Sequence, residues 1–330
     1  MRALLLVLGL LGGCAHVTAP RAFDAEPARL ARLSAPILLV HGILLVGTRV
    51  HLGLTSFDRK IIDALELDGF DVFLPALPAI APPRERAEYL RSAIEDVLHR
   101  TGAARVHVIA HSQAGIDVRV LLDDPRAVGK IASVVTLASP HHGTPLAEVM
   151  RELRGSLGES LLDRVALRID ASRGWPQREG RLYDTASALT PRAMAEFDDR
   201  HPAGNVPLYS LAGTPELARD GACDGGLWPP PTKTGRRSLA MAVAGMIFDQ
   251  RTPHDAHLNN DGIVPTASAR WGTFLGCVPV DHAGWLHVAR GGIDVRALYL
   301  EIARALRDVE RSGPDVMITH VPALARIVND

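Results

Sequence analysis

The chain has 330 residues, 47% of them hydrophobic, and a formal net charge of −1. That length and apolar fraction suffice for one large α/β domain carrying insertions. Acidic and basic residues nearly cancel, which excludes the basic excess that tracks phosphate backbones, so no nucleic-acid partner is expected.

Met1-Arg2 places one positive charge before the apolar run Ala3 to Leu11, which is too short to span a bilayer and has the length of a signal-peptide core. It ends in Leu11-Gly12-Gly13-Cys14, which is similar to a bacterial lipobox, where the cysteine becomes the lipid-modified first residue. Residues 1–14 are therefore expected to be a lipoprotein-type signal peptide and Cys14 its lipidation site. Ala15 after the cysteine points to an outer-membrane or periplasmic lipoprotein anchored by its N-terminus. An ordinary secretion signal and a released protein are the other reading. Residues 15–330 are expected to form a single domain.

Pro36 to Val40 reads as a buried strand ending at His41-Gly42. Phe57 to Leu67 has a helical pattern stopped by Asp68-Gly69, and Phe70 to Leu74 is a second strand. Pro82-Pro83 opens a helix whose apolar positions Ala87, Leu90, Ile94, Val97 and Leu98 share one face, and Gly102 closes it. Val106 to Ala110 is a strand, Ile116 to Leu122 a helix and Ile131 to Leu137 a strand. Such alternation predicts an α/β fold with a mostly parallel sheet and helices on both faces.

The rhythm then breaks. An insertion at about 146–185 puts Leu146, Val149, Met150, Leu153, Leu157, Leu161, Leu162, Val165 and Leu167 largely at helical spacing. It is either a lid over the site or an ordinary core-packing helix pair. Val206 to Leu211 returns to strand, and about 213–259 is an irregular insertion containing Pro229-Pro230-Pro231. Val278 to Val280 closes the sheet, Val295 to Val309 is the last helix, and the tail from Gly313 carries no pattern.

The central motif is Ala110-His111-Ser112-Gln113-Ala114-Gly115, between a strand and a helix. A serine there sits on a sharp turn that exposes its hydroxyl at the head of the helix, as a nucleophile must be. The usual glycines two residues before and after the serine are replaced by Ala110 and Ala114. An oxyanion needs backbone N–H donors from the residue after the serine and from a loop after an earlier strand, which points to Gln113 and Ile43. The expected order then continues with an acid and a histidine. Asp261, in Asn260-Asp261-Gly262, and His282, in Asp281-His282-Ala283-Gly284, fill those places. Asp249, Asp255 and Asp281 compete for the acid and His287 for the base, while His141 and His142 come too early and read as structural or lining residues. Cys223 and Cys277 remain after Cys14 and are either a disulfide or two buried thiols.

In matching order, PILLVHG (36–42), VHVIAHSQAG (106–115), VVTLASPHHGTPLA (134–147), LTPRAMAEFDDRHP (189–202), VPLYSLAG (206–213), NDGIVP (260–265) and VDHAGW (280–285) resemble the bacterial true lipases of Pseudomonas and Burkholderia type. The resemblance implies an α/β-hydrolase fold with a helical lid, and a serine esterase that cleaves acyl esters or lipids. It implies Ser112, Asp261 and His282 as triad, and Ile43 and Gln113 as oxyanion donors. An acyltransferase or polyester depolymerase on the same triad, or an inactive lipid-binding fold, are the alternatives. That family holds a structural calcium with an aspartate two residues after the catalytic histidine. Gly284 stands there, so no cofactor or metal is assigned. The family disulfide does not map onto Cys223 and Cys277, and a folding chaperone is left open as a partner.

Overall fold

Short runs of Val, Ile and Leu bounded by turn residues become strands here because helices cover them from both sides. The structure, a computed structural model, describes residues 35–43, 57–152, 154–156, 160, 163–164, 167–168, 171, 180–198, 206–216, 221–239, 241–242, 244–246, 259–287 and 293–329. The expected signal peptide with Cys14 lies outside them, as do Leu153, Leu157, Leu161, Leu162 and Val165 of the expected lid and the competing acids Asp249 and Asp255.

Six parallel strands, β1 (Ile37–Val40), β2 (Val72–Phe73), β3 (Val106–His111), β4 (Ile131–Leu137), β5 (Leu208–Gly213) and β6 (Thr273–Val278), form one sheet in the order β2-β1-β3-β4-β5-β6. Side chains alternate across it. Ile37 and Leu39 of β1 face one core with Ile109 and Val135, whereas Leu38 and Val40 face the other with Val108 and Val134. The first core is closed by α1 (Arg59–Leu67) and α8 (Val295–Ser312), the second by α2 (Pro83–Thr101) and α3 (Ala114–Leu122). Pro83 in the first turn of α2 and left-handed Gly102 just beyond its end bound that helix where the residue types place them. A four-residue α4 (Pro125–Val128) leads into β4.

Three expectations change. The last strand is Thr273–Val278 and not 278–280, because the register of β6 is carried by Phe274, Gly276 and Cys277 against β5. The strand expected at 70–74 is paired over Val72–Phe73 alone. The tail is ordered as helix α9 (Met317–Asn329), which packs Met317, Leu324 and Val328 onto the first core. Pro322 lies inside it beyond the first turn, where its ring removes an N–H that would have bonded the Ile318 carbonyl, so the helix forms against that local cost. In the first insertion the described helices are α5 (Pro145–Glu152), α6 (Arg181–Ala188) and α7 (Pro191–Asp198). The second insertion is stapled to β6 by a Cys223–Cys277 disulfide with 5.7 Å between Cα atoms.

Candidate active site

The chain leaves β1 for β2 on one side and later returns to β3 on the other. In parallel sheets, the crevice beyond the strand ends at such a reversal is where ligands bind. The loops that follow β1 and β3 carry His41-Gly42-Ile43 and Ser112-Gln113.

The chain turns sharply at Ser112, which takes φ 59°. For a residue with a side chain this conformation costs about 1–2 kcal/mol, so the surroundings must hold it. The Ser112 N–H donates to Leu137 O of β4 at 2.9 Å, and Ala110 and Ala114 are fully buried on either side. Gly115 lets the loop after β4 close in, since a Cβ there would lie 2.2 Å from Ser139 Oγ. The elbow thus tolerates alanine at the two usual glycine positions and needs its glycine one residue later.

Gly42 approaches the serine as closely: a Cβ there would lie 2.6 Å from Ser112 Cβ and 3.0 Å from its Oγ. The buried His41 ring orients the next peptide. Its Nε2 accepts from Leu77 N–H at 3.3 Å, so Nδ1 carries the proton and donates to Gly42 O at 2.9 Å. In a trans peptide the Ile43 N–H then points away from that ring. Gln113 starts α3, where the first N–H groups have no partner within the helix and sit at the positive end of its dipole.

A fully buried ion pair ties these two loops together. Arg86 of α2 meets Asp117 of α3 at 2.7 Å and also donates to the carbonyls of Pro78 and His41. The Gln113 side chain joins through Nε2, donating to Ala81 O at 2.7 Å and to Asp117 Oδ1 at 3.3 Å. Burial pushes the Asp117 carboxyl up to about 6, against the opposing pull of Arg86 and Gln113. Sequence reading missed this pair, since Arg86 lies beside the apolar stripe of α2 and nothing local marks it as buried.

At the other end of the sheet, the Asn260-Asp261-Gly262 turn and the loop after β6 meet Ser112. His282 Nε2 lies 2.9 Å from Ser112 Oγ, and Nδ1 lies 2.8 Å from Asp261 Oδ2. Asp261 is fully buried, and its Oδ1 accepts the N–H groups of Ile263 at 3.0 Å and Val264 at 2.8 Å. Asp281 does something else: its two oxygens accept from Ser238 N and Gly284 N, each at 2.7 Å. His282, and not His287, faces the serine. His141 is buried, contacting Thr136 Oγ1 at 3.0 Å and stacking on Trp271, while exposed His142 meets Asp198 at 2.9 Å. The loop carrying both braces the acid turn, with Thr144 Oγ1 donating to Ile263 O.

The family calcium does not fit the residues beside His282. Gly284 has no side-chain oxygen, and both Asp281 oxygens are taken by backbone N–H groups. Among the described residues no group of three or more His, Cys, Asp or Glu is placed to hold a metal ion.

Residues 35–166 match the family model described as alpha/beta hydrolase fold. A triacylglycerol lipase of Pseudomonas fragi is 27% identical over 83% of this chain and 96% of its own length. One of Vibrio cholerae is 27% identical over 73% of this chain and 75% of its own. Among solved structures, the Staphylococcus hyicus lipase superposes with a TM-score of 0.61 at 14% identity, covering 88% of this chain and 99% of that one. The mature Bacillus licheniformis lipase gives 0.56 at 19% identity, over 87% and 96%. At those identities the structural likeness carries the fold alone. The chain has the α/β-hydrolase fold and is similar in sequence to bacterial triacylglycerol lipases, a likeness that supports a carboxylic ester hydrolase.

Proposed function

We propose that the chain hydrolyses acyl esters through a covalent acyl-enzyme, with Ser112 as nucleophile, His282 as general base and Asp261 as the acid that orients it. The observation that carries this reading is the relay from Ser112 Oγ to His282 Nε2 at 2.9 Å and from His282 Nδ1 to Asp261 Oδ2 at 2.8 Å. As Oγ attacks the ester carbonyl, its proton passes to Nε2. The carbonyl oxygen becomes an oxyanion and takes hydrogen bonds from the Ile43 and Gln113 N–H groups. When the tetrahedral carbon collapses, Nε2 returns the proton to the departing alcohol. Water then repeats the sequence on the acyl-enzyme and frees Ser112. Asp261 keeps a proton on Nδ1 and stabilises the imidazolium.

The relatives named triacylglycerol lipases support a fatty-acyl glyceride as substrate. A buried apolar cluster of Ile116, Ala147, Leu189, Met194 and Phe197, with Ile43 packed against it, makes the ground beside the oxyanion loop apolar, as an acyl ester requires. Lipidation at Cys14 would tether the enzyme to an outer membrane, and the first insertion would act as lid. The deciding experiment is a p-nitrophenyl ester series from C2 to C16, with fluorophosphonate labelling of the wild type and of Ser112→Ala. Labelling and turnover should both vanish in the variant. Labelling that persists would place the nucleophile elsewhere.

A further inference from the structure

His111, the residue before the proposed nucleophile, is not used in that scheme. It is the last residue of β3 and is 1% exposed. Its Nε2 lies 3.1 Å from the backbone carbonyl oxygen of His282, 171 positions away in sequence. The two imidazole rings also touch, with centroids 4.6 Å apart and planes at 46°. A carbonyl only accepts, so the His111 proton sits on Nε2. Its Nδ1 is then a bare acceptor, buried with no partner. An unsatisfied buried acceptor is costly and calls for a reason.

We propose that His111 is a positioning residue that locks the backbone of the base His282 to the strand carrying Ser112. His282 is otherwise held from the acid side: its N–H donates to Asp261 O at 2.9 Å and its Nδ1 faces Asp261 Oδ2. Those bonds set the base relative to Asp261 and leave its place relative to Ser112 to two loops that are remote in sequence. The His111 bond spans that gap one residue from the nucleophile. The ring must stay neutral in this role, because a charge 4.6 Å from His282 would oppose proton transfer to it. Burial, helped by the nearby His282, His41 and His287 rings, holds the His111 pKa well below its usual value.

The inference rests on the reading of His282 as base, so the wild type and Ser112→Ala serve as controls for that reading. His111→Leu keeps an apolar fill and removes the donor. His111→Gln restores an amide N–H close to where Nε2 lies, whereas the shorter His111→Asn cannot reach the carbonyl. Turnover of p-nitrophenyl butyrate and the rate of fluorophosphonate labelling are measured per folded protein. A misplaced base should lower kcat and labelling by about 10- to 100-fold in the Leu and Asn variants, with KM within about threefold. His111→Gln should recover at least about tenfold over Asn. If Leu does not fold, the Gln and Asn pair decides. Equal rates in Gln and Asn, whether both high or both low, overturn the positioning role. Loss of labelling contrast between wild type and Ser112→Ala would instead remove the underlying mechanism.

Discussion

Asp261→Asn tests the relay with the least change in shape. Asp261 Oδ1 accepts two backbone N–H groups, from Ile263 and Val264, and Oδ2 faces His282 Nδ1. In the variant, the amide oxygen must take the place of Oδ1, since an NH2 there would confront two donors. The NH2 group then points at Nδ1 and turns it into an acceptor. The His282 proton moves to Nε2, the atom that should receive the proton of Ser112. The wrong tautomer should lower kcat by roughly 10³- to 10⁴-fold, or about 4–5.5 kcal/mol of barrier, with KM little changed and the fold retained. Asp281→Asn is the comparison. Its two oxygens each take one N–H, so an amide loses one of the two bonds, about 1–3 kcal/mol of stability, with activity within about tenfold of wild type. Steady-state hydrolysis of p-nitrophenyl butyrate at pH 8, with thermal melts of both variants, reads the two effects separately. An Asp261→Asn enzyme within tenfold of wild type, or an Asp281→Asn enzyme equally crippled, would refute the assignment of the acid.

Gly42→Ala puts a methyl 2.6 Å from Ser112 Cβ, so the oxyanion loop or the serine must shift; a displacement near 1 Å should lower kcat by about 100-fold, and a near-normal rate in a folded variant would show that the site has slack. The Cys223–Cys277 bridge closes 54 residues of chain, worth up to about 4 kcal/mol in the chain-entropy account. Cys223→Ser with Cys277→Ser, or reduction of the wild type, should therefore lower the melting temperature by several degrees, and an unchanged melt would deny the bridge that role. Asp117 titrates at about 6 when folded against 3.8 in its ordinary state. Its folded pKa is raised, so the linked stability is full below pH 3.8 and is lost as the pH climbs through about 6. The unfolding free energy of wild type minus that of Asp117→Asn should fall by roughly 2 kcal/mol from pH 4 to pH 7; a flat difference would mean that Arg86 keeps the carboxylate ionised throughout.

Much of the site is legible in the sequence because it is built locally. A strand run, a tight turn and a helix pattern occupy residues 106–122, and the strained serine sits where that context demands. His41-Gly42 follows a buried run for the same reason. The parallel sheet is equally legible, since alternating strand and helix periods depend on neighbours a few residues away. The alanines flanking the elbow look like defects in a motif, yet the close packing falls on Gly115 instead.

Contacts between remote segments were decided only by the tertiary structure. Asp261 and Asp281 are both acids near His282, and their separate roles depend on which backbone N–H groups each oxygen meets. Arg86 and Asp117 read as ordinary helix charges until α2 and α3 pack and seal them from water. The pairing of Cys223 with Cys277 and the His111 bond to His282 join segments 54 and 171 positions apart. Helix α9 forms despite Pro322 because Met317, Leu324 and Val328 find the first core to cover. Local periodicity determines what each segment becomes, and burial against distant partners determines which of its polar groups take part in the chemistry.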